Sequence, residues 1–361
     1  MRSAFMVVGD WLSKANFLEC LNEVELSSSP GVPLLFVSPT NRGLLKNPDG
    51  TWRQDRVELL WQLVQNRIYG KQHADLIRVF IKEEPHTQEK LSQERYRLIY
   101  SVSLVDSLVD RMLFGSLASN IYSLYASVPS MVGWSPLYGG WRFINPNLWG
   151  YDKSAWEYSF SGYMAEDCFS ILSSLVEADD MWHSVARRRF HELFVDVNLV
   201  TSSGIVVKQD LPGVMKSGSF LTILVNSLAQ LYLDALASFE VGEDPDPDIL
   251  IMGDDTIQNL MSDAKRRAIE SFGVKLKDPI KGEFCGMIFN EDTSVEPVHV
   301  GKHLVRMLYT DPDDLEDLFR SYQLLYCKSK NFCRMKDIIR SVCPEAVVPP
   351  KWLFGIYDGP N

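Results

Sequence analysis

The sequence lacks the features that define several classes of protein. Its six cysteines include no C-x-x-C pair, which disfavours a disulfide scaffold or a structural zinc site and favours reduced thiols. The apolar stretch from Ala4 to Val8 is shorter than the ~7–15 residues of a signal-peptide core, so we expect no secretion signal. The most apolar long stretch, from Ser217 to Leu233, is shorter than the ~20 residues that span a bilayer, so we expect no transmembrane segment.

An excess of positive charge is also missing. The chain has 36 Lys and Arg residues against 47 Asp and Glu residues, which gives a net charge of −11. Bulk charge therefore disfavours a protein that coats nucleic acid, although a channel lined locally by basic residues stays compatible with it. With 46% hydrophobic residues in 361, no internal repeat and no low-complexity linker, the composition indicates a globular chain of two or three domains.

Two acidic segments are candidates for a metal site. Residues 249–252 are apolar and are followed by Gly253, Asp254 and Asp255, which predicts a hairpin with two carboxylates at its tip. Neighbouring carboxylates repel each other, and a divalent cation relieves that repulsion, although the same residues also occur in plain turns. Asp152 ends a short predicted strand about a hundred positions earlier, where a helix N-cap is the alternative role. Two-metal phosphoryl transfer needs carboxylates from separate strands, which Asp152 and Asp254 would supply.

A polar helix follows the Ser217-Gly218 loop. Thr222 and Asn226 are four positions apart and share one face of the helix predicted over 219–237. Buried polar side chains need hydrogen-bond partners, and a ribose hydroxyl would serve, with capping and a polar stripe as the alternative. Helical spacing also covers 98–124 and 158–177, and residues 283–289 indicate a strand.

Taken together, these segments resemble the RNA-dependent RNA polymerases of positive-strand RNA viruses, most closely the sobemovirus-like group. The order of motifs along the chain matches throughout, from about Lys82 to Phe289. The matching segments are Lys82-Glu83-Glu84-Pro85 with Lys90, Arg95 and Arg97 (basic fingers motif), Asp152-x4-Glu157 (first palm motif), Ser217-Gly218-x3-Thr222-x3-Asn226 (second), Gly253-Asp254-Asp255 (third), Ser271 to Lys277 (fourth) and Glu283-Phe284-Cys285-Gly286 (primer grip).

The resemblance implies an α+β right-hand polymerase with fingers, palm and thumb, in which the palm is an antiparallel sheet backed by helices. Residues 1–147 would form mainly fingers, with the basic nucleotide-channel motif at 79–99. Residues 148–290 would form the palm, with a finger insertion at about 178–210, and residues 291–361 the thumb.

The resemblance also assigns roles to individual residues. Asp152, Asp254 and Asp255 would bind Mg²⁺, with Mn²⁺ as a substitute, and would be the catalytic carboxylates. Lys277 and Lys281 are both candidates for the general acid, with Lys275 also nearby. The residues implied in nucleotide binding are Lys82, Lys90, Arg95, Arg97, Glu157, Ser217, Gly218, Thr222 and Asn226. Glu157 stands where the family usually has Asp.

The implied function is template-directed RNA synthesis from NTPs, that is, viral genome replication and transcription. The implied partners are an RNA template and primer, NTPs, a genome-linked protein primer and other viral replication proteins. The expected location is the host cytoplasm, at membrane-associated replication complexes. Two alternatives remain: a reverse transcriptase-like polymerase, which normally lacks the Ser-Gly-x3-Thr-x3-Asn pattern, and a non-catalytic, polymerase-like RNA-binding protein, which would have lost carboxylates.

Overall fold

A computed structural model describes residues 5–7 and 9–359. Ala4 and Val8, the ends of the short apolar stretch, lie outside the described residues. The chain divides into two compact units. The first unit is drawn from the residues up to 124 and from 155–232, and the second from 125–154 and from 233 onward. The boundaries of fingers, palm and thumb stay a prediction.

Helices and strands alternate irregularly along the chain. Up to residue 208 they are α1 (Lys14–Asn22), α2 (Asn41–Leu45), α3 (Gln54–Ile68), β1 (Ile77–Ile81), α4 (Gln88–Ser92), β2 (Leu98–Ser101), α5 (Leu104–Tyr122), β3 (Trp149–Tyr151), β4 (Lys153–Ser154), α6 (Trp156–Ser159), α7 (Gly162–Leu175), α8 (Asp180–Phe194), β5 (Asn198–Thr201) and β6 (Val206–Lys208). They continue as α9 (Thr222–Val241), β7 (Leu250–Met252), β8 (Asp255–Gln258), α10 (Asp263–Ser271), β9 (Lys275–Leu276), β10 (Ile280–Lys281), β11 (Glu283–Phe284), β12 (Met287–Phe289), β13 (Val295–Pro297), α11 (Val300–Tyr309), α12 (Leu315–Leu325), α13 (Phe332–Val342) and α14 (Pro350–Asp358).

The first unit contains a four-stranded sheet with the order β2-β1-β5-β6. β1 is antiparallel to β2 and parallel to β5. Helix α5 is buried over most of its length, including Asp110, which is 0% exposed. The Arg189 guanidinium donates to the Asp110 carboxylate (2.8 Å from Nε), and Arg67 does the same for Asp106 (3.0 Å). Because buried charges are tolerated when they are paired and hydrogen-bonded, these ion pairs allow acidic residues inside the core.

The second unit contains a four-stranded sheet with the order β10-β3-β8-β7 and a three-stranded sheet, β11-β12-β13. β8 is antiparallel to both of its neighbours, and Ile257 on β8 and Ile251 on the adjacent edge strand β7 are fully buried. Trp134 packs on Phe284, with 5.7 Å between ring centroids, in a cluster that also contains Ile257. Hydrophobic burial therefore fixes the strands whose ends carry the acidic residues.

Helix α9 begins three residues later and ends four residues later than the predicted helix over 219–237. It has 20 residues and, among the described helices, is the one long and apolar enough to cross a membrane by length and composition. More than half of the relevant stretch is buried inside the protein. Asp234 on this helix is 4% exposed and pairs with Lys265 at 2.6 Å. An interior ion pair and burial of this extent are typical of a core helix of a folded protein.

Three local predictions were wrong in detail. Residues 98–101 form strand β2, because pairing with β1 outweighs the helical spacing. The helix predicted over 158–177 is divided, since Ser161 caps α7 by accepting from the backbone of Met164. Residues 283–289 form a hairpin, because Cys285 and Gly286 both take a positive φ (51° and 73°) at a two-residue turn. The α+β fold class itself is confirmed, with mostly antiparallel strands and separate helices.

Candidate active site

The hairpin of β7 and β8 carries the two neighbouring acids at its tip. Met252 pairs with Asp255 in the antiparallel register, so the turn consists of Gly253 and Asp254. Gly253 takes φ +65°, a left-handed conformation that glycine adopts without steric cost. Asp254 is exposed and Asp255 is half-buried, so the two carboxylates have different environments.

Strand β3 brings Asp152 to the same place. Tyr151 pairs with Thr256 in the antiparallel register of β3 and β8. One further step of that register sets Asp152 opposite Asp255. The structure therefore brings together three acids that the sequence separates by about a hundred positions, as the two-strand interpretation predicted; their catalytic role stays a prediction.

The crowding of these acids has an electrostatic consequence. Burial and the Asp254 charge raise the pKa of Asp255 to about 6, with a smaller contribution from Asp152. The Lys153 charge acts in the opposite direction. Like charges close together disfavour ionisation, so the cluster would gain from a bound cation.

Lys153 was missed by sequence reasoning. Its side chain is buried, and Nζ donates to the Asp254 backbone oxygen (3.0 Å), to Thr256 Oγ1 (2.8 Å) and to the Tyr151 backbone oxygen (3.2 Å). Burial lowers the pKa of this ammonium group to about 8, while the charges of the neighbouring acids favour its protonated form. Consecutive residues of a strand point to opposite faces. The place of Lys153 directly after the strand-end acid Asp152 was therefore a usable signal that its side chain lies on the face opposite to that acid.

Glu283 is a second residue whose place the sequence did not reveal. Burial raises the pKa of its carboxyl, and the Asp152 charge raises it further. Strand β11 approaches β3 so closely that a Cβ on Gly150 would lie 2.1 Å from the Glu283 backbone oxygen. Gly150 therefore permits the contact that brings Glu283 near Asp152. The Glu-Phe-Cys motif marked the segment, but no local pattern showed which acid it would approach.

The structure distinguishes the two lysine candidates. The Lys277 backbone N–H donates to the Asp152 backbone oxygen (2.9 Å). The Lys277 ammonium group forms an ion pair with the Asp152 carboxylate. Both side chains are about half exposed, so this pair contributes little to stability. Lys281 instead pairs with Glu291 at 2.7 Å. Of these two candidates, Lys277 is therefore the one that lies at the acidic cluster.

The donor chemistry of the cluster suits a hard divalent cation. Carboxylate oxygens are the ligands that Mg²⁺ prefers, and Mg²⁺ is usually held by one or two carboxylates together with water and substrate phosphates. In the part of the chain that the structure describes, no group of three or more His, Cys, Asp or Glu side chains is arranged so that it could hold a metal ion by itself. Asp152, Asp254 and Asp255 thus fit Mg²⁺ by donor type and charge, with remaining ligands to come from substrate.

The first unit holds the residues implied in ribose recognition. Asn226 is 6% exposed, and its Oδ1 accepts a hydrogen bond from the Trp156 indole (2.8 Å). Glu157 follows Trp156 on α6, and its backbone oxygen accepts from Met215 (2.8 Å). The carboxamide oxygen of Asn226 is thus hydrogen-bonded to Trp156, the residue before Glu157. The role of Asn226 and Glu157 in reading the ribose stays a prediction.

The Ser217-Gly218 loop lies against strand β2. Ser217 Oγ accepts from the Tyr100 backbone N–H at 3.3 Å. A Cβ on Gly218 would lie 2.3 Å from the Tyr100 backbone oxygen, so only glycine permits this approach. Thr222 Oγ1 donates to the Lys216 backbone oxygen at 2.5 Å, which ties the start of α9 to the loop. The Thr222 hydroxyl therefore has a structural partner.

The four basic fingers residues lie on one exposed segment, β1-α4-β2. The Lys82 backbone N–H donates to the Arg97 oxygen (2.8 Å), and the Lys82 ammonium pairs with Glu84 (3.0 Å). Arg95 donates to Gln93 at 3.3 Å, and the side chain of Lys90 is exposed. The geometry is compatible with a phosphate-binding hairpin and with a solvated basic face, so their role stays a prediction.

Comparison with known proteins agrees with this arrangement. A family model described as viral RNA-dependent RNA polymerase matches residues 9–293. Protein P2-P3 of Poinsettia latent virus is 29% identical over 81% of this chain and 29% of its own length. Replicase polyprotein P2AB of Southern cowpea mosaic virus is 28% identical over 92% of this chain and 37% of its own length. Protein P1-P2 of Potato leafroll virus is 28% identical over 83% of this chain and 30% of its own length.

This chain spans little more than a third, at most, of these relatives. Among solved structures, the Sicinivirus 3Dpol RNA dependent RNA polymerase superposes with a TM-score of 0.69 over 91% of this chain and 76% of that one, at 16% identity. That similarity shows the right-hand polymerase fold. By its match over residues 9–293, the chain belongs to the family of viral RNA-dependent RNA polymerases.

Proposed function

We propose that this chain copies an RNA template into RNA by two-metal nucleotidyl transfer. The observation that supports it most directly is the meeting of Asp152 with Asp254 and Asp255 at adjacent strand ends, in a chain of the viral polymerase family. In this reaction the 3′ oxygen of the growing strand forms a bond to the α-phosphorus of an NTP. The bond from that phosphorus to the bridging oxygen breaks, and pyrophosphate leaves.

Each acid would have a defined part in that step. Asp152 and Asp254 would hold Mg²⁺ with support from Asp255, and the bound metal would activate the 3′ hydroxyl and neutralise the triphosphate. Lys277 Nζ would donate a proton to the departing pyrophosphate, since its ammonium group already lies at Asp152. Lys153 would keep the Asp254 turn in place through its bond to the turn backbone.

Residues of the first unit would recognise the nucleotide. Lys82, Lys90, Arg95 and Arg97 would bind triphosphate oxygens, for which Arg offers a two-pronged donor set. Glu157 and Asn226 would read the ribose 2′ hydroxyl, with Ser217, Gly218 and Thr222 shaping the loop beside them. We propose RNA template, primer and NTPs as the partners, and membrane-associated replication complexes of the host cytoplasm as the location, because the relatives include replicase polyproteins.

The test is incorporation of labelled NTP on a homopolymeric RNA template with Mg²⁺, with and without primer. Asp254→Asn should abolish synthesis and leave the melting temperature near that of the parent, because removing one of two crowded carboxylates costs the fold little. Asp278→Asn, which changes a fully exposed acid of the same unit, is the matched control and should keep parental activity. Parental synthesis by Asp254→Asn would refute the assignment.

The same assay separates the alternatives. A reverse transcriptase would incorporate dNTPs on the RNA template in preference to NTPs. A non-catalytic RNA-binding protein would bind the template and incorporate neither. We expect incorporation of NTPs with strong discrimination against dNTPs.

A further inference from the structure

Lys216 is a buried lysine without an acidic partner. The residue is 0% exposed, and within the described residues no carboxylate oxygen lies within the 4.0 Å of an ion pair. Its Nζ donates to Val214 O (2.6 Å), Gln209 Oε1 (2.8 Å) and Gly213 O (3.1 Å). A protonated lysine has three N–H donors, so the three oxygens satisfy the group completely.

The solvation cost of this arrangement is high. Burial lowers the pKa of Lys216 to about 7, and no neighbouring charge offsets the effect. The Tyr100 and Phe194 rings lie 5.8 and 5.7 Å from Nζ, close to the limit for a cation–π contact. An apolar side chain of similar length would avoid the desolvation cost. What the lysine contributes is therefore geometry, because two of its three acceptors are backbone oxygens of one turn.

That turn is strained and tightly confined. Val214 takes φ +57°, a region that β-branched residues rarely adopt, and Gly213 takes φ +108°. A Cβ on Gly213 would lie 2.3 Å from the Phe160 backbone oxygen. A β-branched residue in this conformation is strained and persists only where its surroundings hold it, whereas Gly213 adopts its positive φ without that strain. The Lys216 ammonium group holds the carbonyl groups of both residues of this turn, strained Val214 and its neighbour Gly213.

The turn connects the segments that carry the proposed ribose-binding residues. The Val214 N–H donates to Phe160 O (2.7 Å), and the Met215 N–H donates to Glu157 O (2.8 Å). On its other side, Lys216 precedes Ser217 directly, and its own backbone oxygen accepts from Thr222 Oγ1 (2.5 Å). A shift of the turn would therefore move Glu157, Ser217 and Thr222 relative to one another.

We propose that Lys216 is a positioning residue that fixes the Gly213-Val214 turn and thereby holds Glu157, Ser217-Gly218 and Thr222 in the arrangement that selects a ribonucleotide. The proposal rests on the proposed function. It assigns Lys216 no contact with substrate. Its effect should appear in nucleotide affinity and sugar choice more than in the rate of the chemical step.

The main test is Lys216→Met, with kinetics for ATP and dATP on a poly(U) template. We expect KM for ATP to rise about tenfold, the ATP-over-dATP ratio of kcat/KM to fall about tenfold, and kcat to change less than about threefold. Lys208→Met is the control, because Lys208 is an exposed lysine of the same unit with an ion pair to Asp196 at 2.9 Å. The control should keep the parental ratio.

Hydrogen exchange supplies a readout that does not depend on activity. The backbone N–H groups of Gly213, Val214 and Met215 are all hydrogen-bonded in the parent, so peptides covering 213–222 should exchange faster in Lys216→Met. Peptides from α5 should keep parental exchange, which excludes global loosening. If Lys216→Met does not fold, Lys216→Gln, which keeps a hydrogen-bond donor in place of the ammonium group, should give the same changes at smaller size. Gln209 is left unchanged, because its own amide donates to Gly213 O (3.1 Å) and Leu211 O (2.7 Å).

The outcomes separate the two proposals. Parental exchange in 213–222 together with a parental ATP-over-dATP ratio would overturn the role of Lys216. A uniform loss of kcat with an unchanged KM and sugar ratio would also overturn it, because that pattern indicates general damage. If the parent protein makes no RNA, the proposed function fails, while the exchange experiment still decides whether Lys216 fixes the turn.

Discussion

Replacing Lys153 by methionine removes the buried ammonium group that stabilises the ionised form of Asp255. The side chain keeps its approximate length and loses its charge and three hydrogen bonds. Asp255 already has a pKa of about 6, because of burial and the Asp254 charge. Without the lysine its pKa rises further, so a larger fraction of the carboxyl is protonated near neutral pH and less of it is available as a metal ligand.

The size of the effect follows from the loss of a nearby opposite charge. A nearby opposite charge lowers a carboxyl pKa by about 1–3 units, so loss of the Lys153 charge should raise the pKa of Asp255 further by a comparable amount. A rise of that size lowers the ionised fraction of the Asp255 carboxyl at pH 7 by roughly twofold to a hundredfold. Because the proposed metal ligand is the ionised carboxylate, a raised pKa of Asp255 means that activity is lost as the pH falls and returns as the pH rises. Stability should fall by roughly 1–3 kcal/mol, since backbone and hydroxyl oxygens lose a donor.

The assay is the pH dependence of kcat/KM for ATP at limiting Mg²⁺, between pH 5.5 and 9, for parent and Lys153→Met. Because kcat/KM reports on groups of the free enzyme, the acid limb should move upward by about one to three pH units, with activity recovered at high pH. Lys265→Met is the control: it breaks the buried pair with Asp234 and costs stability, but its acid limb should stay parental. An unshifted acid limb in Lys153→Met would refute the reasoning.

Three further predictions concern single residues of the proposed site. Lys277→Ala should lower kcat by about a hundredfold, because the proposed proton donor is lost. Lys281→Ala, which loses only the ion pair with Glu291, should keep kcat within about twofold of the parent. Equal single-turnover rates for the two variants would contradict the assignment of Lys277 as the general acid. Arg97→Ala should raise KM for NTP or lower the dependence of template affinity on salt, measured by titration at several salt concentrations. Parental values for both quantities would show that the basic residues form a solvated surface. Asn226→Ala should reduce the preference for ATP over dATP on poly(U) by roughly ten- to a hundredfold, and an unchanged ratio would show that the ribose is read elsewhere.

Local sequence patterns were sufficient for the parts of the site that depend on neighbouring residues. An apolar strand, a glycine and two acids predicted the β7-β8 hairpin, and the structure has that hairpin with Gly253 at positive φ. The order of the motifs predicted the polymerase family, which the family match confirms. Where pairing with a distant strand competed with local periodicity, as for Leu98–Ser101, the sequence interpretation was wrong.

The sequence by itself determined which chemistry is present: acids at strand ends, a Ser-Gly loop before a polar helix, and basic residues in one segment. The tertiary structure alone decided which of these groups meet. The β3-β8 register sets Asp152 opposite Asp255, and the pairing of β9 with β4 delivers Lys277, not Lys281, to Asp152. Burial made Lys216 an internal cation that no local pattern distinguishes from a surface lysine. Lys153 is buried as well, and its only local signal was its place directly after a strand-end acid. The reason is physical: strand register and desolvation depend on contacts between distant segments, and the free energy of a charge depends on those contacts.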